Sequence, residues 1–439
     1  MGHQADQSLP GQRRRVLTVA YYFPPLAGGG VQRTLKHVKY LPNHGFDSIV
    51  VAGGRRGFFL SDETLRREIP PGTKVLRGRA LPLQQAAWKL DGLLRRLGIP
   101  TRLVNELLWP DGFVGWLPSA LVQALRAIEK YKPDVLYSTS MPGTAHLAAL
   151  IVHRMTGLPW VADFRDGWTL DPLGGEAPAP LARARAALER TVVDEAAYVT
   201  VVDESVSLLD LSPDDSRRVV IRNGVDPDDL ALNTCPDLEP SSERFRLSYV
   251  GSFYGQRDAA PVFAAVRELI SAGKLDPHRF ELRIVGHASL NGTSVDSLPV
   301  TFIDYVDHPE ALAEMARASA LLFYQPAQTR GSSGKIYEYL VSGRNVLCVA
   351  HPDNLAYRLV AEMGAGECAD ARDTLAVATA LERLLDRWKR GDSLALDGSV
   401  RERTLERFSR RTLAAQLADV LELAIAEPPR SARSRSGGG

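Results

Sequence analysis

The stretch Gly331 to Leu347, GSSGKIYEYLVSGRNVL, sets one lysine and one glutamate in an otherwise apolar short helical pattern. Gly334 and Gly343 bracket the predicted helix, Ser333 offers an N-cap oxygen, and Asn345 to Val349 reads as a buried strand. Lys335, Glu338 and Ser342 recur at i, i+3, i+7 and share one stripe. Ile336 with Leu340 and Tyr337 with Val341 take the faces that can pack. An ammonium and a carboxylate one turn apart can pair with each other, a contact worth about 0.2–0.5 kcal/mol on an exposed helix. They can also grip a ligand that carries anionic groups and hydroxyls. With Ser333 as the cap, Glu338 falls beyond the first turn, so neither a capping box nor the helix dipole accounts for it. A bound ligand accounts for it better.

The most chemical part of the first half is Asp163-Phe164-Arg165-Asp166-Gly167-Trp168, directly after the apolar run WVADF at 160–164. Parallel α/β sheets bind ligands outside the carboxyl ends of their strands, which is where this loop falls. An ionised Asp166 there could orient or deprotonate a hydroxyl, with Arg165 and His146 as neighbouring polar groups; the alternative is a satisfied loop salt bridge. Further upstream, Val16 to Tyr21 is an apolar strand-like run, broken by Pro24 and Pro25 and then by Gly28, Gly29 and Gly30 ahead of a helical pattern. Such a loop lets backbone N–H groups and a helix N-terminus approach an anion, although GGG is not GxGxxG and no acidic residue stands at the position a dinucleotide ribose needs.

These groups need a frame, and the chain supplies an alternation of strands and helices. SIVVAG near 48–53, a helix near 117–131, VLYST at 135–139, a helix near 143–156, WVADF and YVTVV at 198–202 predict a parallel α/β sheet. The design repeats from Arg246 to Val250, through a loop carrying Arg257 and a helix from Ala259, with strands at 280–286, 299–304 and 320–324 and helices at 373–391 and 408–426. A length of 439 residues is too great for one core and implies two domains. Near charge balance, 53 Lys plus Arg against 52 Asp plus Glu, argues against a general nucleic-acid binder. Cys235, Cys348 and Cys368 are too scattered for a disulfide framework or a zinc site, and no apolar run reaches membrane-spanning length. The expectation is a soluble cytoplasmic protein. Residues 1–14 and 427–439 are polar or low in complexity and are expected to be disordered. Leu90, Leu93, Leu94 and Leu97 form an i, i+3, i+4, i+7 stripe that predicts a core-facing helix over 83–97. Its basic flank leaves open an interfacial helix that meets an anionic membrane or a lipid-linked acceptor, and Trp88, Trp109 and Trp116 could line an acceptor cleft.

Three strings taken together, GKIYEYLVSGRNVL, DFRDGW and YYFPPLAGGGVQR, resemble the retaining glycosyltransferases of family 4, also described as glycosyl transferase group 1, across roughly residues 16 to 425. The resemblance implies the GT-B architecture: two Rossmann-like, doubly wound α/β domains facing an interdomain cleft. It places an N-terminal acceptor domain at 15–222, a nucleotide-sugar donor domain at 223–407 from the junction RVVIRNGVD, and a C-terminal helix at 408–426 returning to the first domain. It implies transfer of a sugar from a nucleotide diphosphate sugar, most often a UDP-sugar, to an acceptor hydroxyl with retention, the work of a hexosyltransferase of EC 2.4 type. Acceptors of the family are small molecules, glycans or lipid-linked, and peripheral membrane contact is compatible with that.

By the same resemblance, Gly28, Gly29, Gly30, Arg257 and Lys335 hold the donor diphosphate, Glu338 the ribose, and Arg330, Gly331 and Ser332 the donor sugar. Asp166, Arg165 and His146 fall on the catalytic side. No metal or cofactor is implied, because no DxD-like pair sits in a convincing loop. The chain departs from the family in two places: STSMP stands where many members keep a histidine, and Arg330 stands where many carry a second glutamate. A nucleotide-sugar epimerase or hydrolase, or a non-catalytic sugar-nucleotide-binding protein, would share the donor grip.

Overall fold

Strands β1 (Arg14–Val19), β2 (Phe46–Gly53), β4 (Val135–Ser140), β5 (Trp160–Phe164) and β6 (Tyr198–Val201) are apolar runs buried almost throughout. That is the pattern of parallel strands covered on both faces. In the computed structural model they join β3 (Lys74–Gly78) and β7 (Arg218–Val220) in a seven-stranded parallel sheet of order β3-β2-β1-β4-β5-β6-β7. The structure describes residues 13–54, 61–99, 108–169, 179–229, 240–251, 253, 259–288, 294–329, 331 and 333–427. Helices α1 (Gly29–Tyr40), α2 (Leu83–Arg96), α3 (Leu117–Tyr131), α4 (Thr144–Thr156) and α5 (Ala179–Glu195) complete the crossovers. This first unit comprises residues up to Ile221 and again from Leu413.

The second unit, Arg222–Thr412, repeats the plan. Its strands β8 (Phe245–Val250), β9 (Phe280–Val285), β10 (Val300–Ile303), β11 (Ala320–Tyr324), β12 (Asn345–Ala350) and β13 (Gly366–Asp370) form a parallel sheet of order β10-β9-β8-β11-β12-β13. Helices α6 (Ala260–Ser271), α7 (His308–Ala316), α8 (Lys335–Val341), α9 (Leu355–Met363), α10 (Thr374–Lys389) and α11 (Gly398–Phe408) cover it, and α12 (Arg410–Ala426) closes the chain. Both sheets therefore reverse their order of addition between two neighbouring strands, β1 and β4 in one, β8 and β11 in the other. Loops leaving the carboxyl ends of such a pair diverge and open a crevice.

Several expectations change in detail. Arg14, placed in the N-terminal tail, begins β1 and pairs with Phe46. The remainder of both ends, residues 1–12 and 428–439, lies outside the described residues. The helix expected at 408–426 starts two residues later, at Arg410; Phe408 ends α11, and Ser409 between them has an extended backbone and a hydroxyl that accepts from Thr412 N at 3.1 Å. β3 (KVLRG) and β13 (GECAD) escape the apolar reading because neither contains a run of branched residues; they are edge strands held by β2 and β12.

The largest correction is α2. Its leucine stripe does not face the core: Leu83, Leu90, Leu93 and Leu97 are exposed, and Asp91 is the only buried residue of the helix. Periodicity shows that a helix has an apolar face but not which neighbour that face meets. The tryptophans nearby differ as well, with Trp116 buried against Tyr21 at 5.2 Å between ring centroids and Trp88 exposed.

Candidate active site

In the first unit the crevice between β1 and β4 is flanked by the GGG loop on one side and Ser140-Met141-Pro142-Gly143 on the other, with the DFRDGW loop entering from β5. Gly28 adopts φ +100° and serves as the N-cap of α1, which starts with no capping side chain and no acidic residue in its first turn. Only glycine takes that backbone without strain. Val31 N turns back to the Gly28 carbonyl at 3.0 Å, and no side chain caps the N–H groups of Gly29 and Gly30 ahead of it.

Arg165 ties the three loops together. Its Nη1 donates to the Gly30 carbonyl at 2.5 Å, its Nη2 to the Met141 carbonyl at 2.7 Å, and its Nε to the Ser140 carbonyl. A guanidinium committed to three backbone oxygens is a brace. Burial lowers its pKa, with Asp166 and Asp163 acting in the other direction.

Asp163 is part of the frame too. Its carboxylate accepts two bonds from Arg33, at 2.8 and 3.1 Å, and one each from Thr139 and Thr200 at 2.7 Å, with no exposure to solvent. Burial alone would raise its pKa; the charge and hydrogen bonds of Arg33 outweigh that and hold it well below the ordinary carboxylate range. The alternative expectation is a salt bridge within the loop; Asp163 instead pairs with Arg33 of α1. Asp166, the second carboxylate, is exposed at the loop's edge.

His146 is fully buried on α4, with Nδ1 2.8 Å from Ser138 Oγ, itself the acceptor of the Trp160 indole N–H. Its ring lies 4.5 Å from that of Phe164 and 6.0 Å from that of Trp168. Among the described residues its Nε2 has no hydrogen-bond partner, and burial lowers its pKa from 6.5 to about 3. It is a neutral, packed imidazole. Trp168 in turn rests on Gly143, where a Cβ would come within 2.3 Å of the indole.

A carboxylate absent from the sequence reading, Asp111, anchors the start of α4. It accepts from Thr144 N at 2.9 Å, Thr144 Oγ1 at 2.7 Å and Phe113 N at 2.9 Å, and burial raises its pKa against those bonds. The signal for it was local: Trp-Pro-Asp-Gly is turn chemistry, yet its helix lies distant in sequence.

In the second unit α8 follows β11 and crosses toward the end of β8. Lys335 Nζ lies 4.9 Å from the centroid of the Tyr249 ring, and a Cβ on Gly251 would fall 1.4 Å from that nitrogen. Gly251, at φ +149°, is therefore required for the lysine to reach the β8 carboxyl end. Glu338, half-buried, makes no hydrogen bond or ion pair among the described residues, so the simple Lys335–Glu338 pairing is not what the helix adopts. Ile336, Tyr337, Tyr339, Leu340 and Val341 fill the core as their spacing predicts, and Val250 N donates to Tyr339 Oη at 2.9 Å. The helix starts at Gly334 without a side-chain cap; Ser333 Oγ stands 3.5 Å from Lys335 N.

The loop before α8 is held by Asn354, another residue the sequence reading passed over. Its Nδ2 donates to the carbonyls of Thr329 at 3.1 Å and Gly331 at 2.8 Å, while its Oδ1 caps α9 by accepting from Ala356 N at 2.9 Å. Gly331 is thus fixed through its carbonyl. Arg257, Arg330 and Ser332 lie outside the described residues.

Residues 28–224 match the family profile described as Glycosyl transferase 4-like domain, and residues 244–387 that of Glycosyl transferases group 1. No curated protein matches the sequence. The N-terminal domain of the Candida albicans trehalose-6-phosphate phosphatase superposes with a TM-score of 0.62 at 12% identity, covering 96% of this chain and 99% of that one. The Burkholderia xenovorans α,α-trehalose-phosphate synthase (UDP-forming) gives 0.62 and 12%, covering 93% and 100%. That of Burkholderia multivorans gives 0.57 and 11%, covering 97% and 100%. Identities this low speak for the fold alone. Two profile matches in succession over most of the chain, on two Rossmann-like units of the GT-B type, establish that the protein belongs to the group 1 glycosyltransferases.

Proposed function

We propose that the protein transfers a sugar from a nucleoside diphosphate sugar, a UDP-sugar in the first instance, to an acceptor hydroxyl with retention at the anomeric carbon and without a metal ion. The carrying observation is the seat of Lys335, its ammonium drawn onto Tyr249 and the Gly251 backbone at the β8 end, while Glu338 one turn on makes no ion pair among the described residues. An ammonium so placed offsets the charge that develops on a departing diphosphate, and a half-buried carboxylate accepts from vicinal ribose hydroxyls. In this reading Arg257 and the N–H groups at Gly28 to Gly30 share the diphosphate, and Arg330, Gly331 and Ser332 face the donor sugar. Asp166 acts on the acceptor side. Arg165 acts by bracing the loops, and His146 by packing beneath them. The acceptor is a small molecule, a glycan or a lipid-linked sugar, and the setting is cytoplasmic, in keeping with Cys348 and Cys368 remaining free thiols.

The test is calorimetric titration of UDP and other nucleoside diphosphates into wild type, Lys335→Ala and Glu338→Ala. Each variant is expected to lose about 1.5–3 kcal/mol of binding, roughly 10- to 150-fold, with its melting temperature held, as for one charge-assisted contact. Unchanged affinity in both variants defeats the donor assignment. An inverted anomeric configuration in the product, read by proton NMR, defeats retention. Lost turnover after chelation, restored by a divalent ion, defeats metal independence.

A further inference from the structure

Helix α2 carries its chemistry on the outside. Leu90, Leu93 and Leu97 are 46%, 54% and 67% exposed, and Leu81, Leu83 and Ile99 at its two ends are exposed as well. On the helical wheel Leu93, Leu97 and Leu90 lie side by side, with Lys89 and Arg96 bordering them on the same outward side. The one acidic residue of the helix, Asp91, is turned inward and buried. The exposed face is thus apolar and cationic, with its only carboxylate removed.

We propose that this face of α2 is a docking surface for an anionic lipid bilayer. A leucine stripe bordered by Lys and Arg is complementary to acyl chains beneath negatively charged headgroups. A second copy of the chain fits less well, because a twofold contact lays each patch on itself and would bring Lys89 and Arg96 against like charges. A helix of 14 residues spans about 21 Å and lies in the interface plane; among the described residues no helix is long and apolar enough to cross a membrane.

The helix is also coupled to the site of its own unit. Leu81 N donates to the Gly115 carbonyl at 2.9 Å, and Gln84 lies so close to Gly112 that a Cβ there would come within 2.9 Å of its amide. That segment carries Asp111, which holds the start of α4 behind Ser140 to Gly143. A bilayer met by α2 would lie beside the acceptor-side loops. This inference does not rest on the donor assignment.

The experiment is flotation of the full chain with vesicles of phosphatidylcholine alone and of equal parts phosphatidylcholine and phosphatidylglycerol, at low and high salt. Wild type is expected to float with the anionic vesicles only and to be released by salt. Lys89→Gln with Arg96→Gln should weaken binding roughly 25-fold, about fivefold per basic residue. Leu90→Ser with Leu93→Ser and Leu97→Ser should abolish it, while nucleoside diphosphate affinity and melting temperature hold in both variants. Failure of wild type to float with anionic vesicles, equal binding to neutral ones, or undiminished binding by the variants overturns the proposal. So does a wild-type dimer in light scattering that the leucine variants dissolve while vesicle binding is absent, which would assign the face to self-association.

Discussion

At the scale of single residues, the DFRDGW loop divides its labour between two carboxylates, Asp163 and Asp166. Asp163 has its four hydrogen bonds filled from α1, β4 and β6 and is structural. Asp166 is exposed at the carboxyl end of β5, which suits contact with an acceptor. Asp166→Asn keeps the shape and removes the charge. It is expected to lower kcat about 100-fold while the nucleotide Kd stays within about twofold, the split of a positioned acid–base group. Wild-type kcat in that variant would move attention to Ser140 and Met141.

His146 makes a different prediction, because its buried ring resists protonation while the unfolded chain does not. With the pKa lowered from 6.5 to about 3 in the fold, the unfolded state binds the extra proton first. Stability is then level above about pH 6.5 and falls toward pH 3. The slope from this one group is at most about 1.4 kcal/mol per pH unit. Urea melts of His146→Asn should show that part of the slope removed between pH 6.5 and 4, whatever constant cost the lost ring packing adds. An unchanged slope would mean that the imidazole is charged in the folded state.

At the scale of elements, the donor-side loop is held by the cap of a neighbouring helix. Asn354 both starts α9 and secures the carbonyls of Thr329 and Gly331. Asn354→Asp keeps the capping oxygen and loses the two donated bonds; Asn354→Ala loses all three. The alanine variant is expected to lose about 1 kcal/mol, the worth of an N-cap, and the aspartate variant more, because its buried carboxylate would face the Thr329 and Gly331 carbonyls. Both should bind nucleoside diphosphate several-fold more weakly, since the loop that leads into Lys335 is no longer anchored. Calorimetry together with urea midpoints checks this, and full affinity in both variants would make Asn354 a cap only. The sequence announces the cap, as Asn before an apolar helical run. It is silent on the amide nitrogen, whose acceptors come from the preceding β11 crossover.

At the scale of the molecule, two sheets with the same reversal point each present a set of loops at their strand ends, and the proposed donor-gripping pair Lys335 and Glu338 lies in the second. Hydrogen exchange with saturating nucleoside diphosphate should therefore slow at 249–251 and 333–338 in the second unit. A ligand at 100 times its Kd adds about 2.7 kcal/mol to whatever cooperative unit binds it. If the chain melts in two steps, the step belonging to Arg222–Thr412, the unit that carries Lys335 and Glu338, should rise more than the other. Protection confined to the first unit would reverse the assignment of donor and acceptor halves.

The sequence by itself determined most of the strands and helices, the two glycine-marked loops and the Lys335/Glu338 stripe. Each of these is a local property, written in apolar period, in glycine where φ is positive, and in side-chain spacing along one helix. The tertiary structure decided which of those pieces meet. That Asp163 pairs with Arg33, that Arg165 is consumed by the carbonyls of Gly30, Ser140 and Met141, and that Lys335 seats over Gly251 all follow from strand order, which crossovers impose and no local pattern encodes. The outward turn of the α2 leucines has the same cause. An apolar stripe is a feature of the chain, whereas the surface it faces is set by the elements that fold around it.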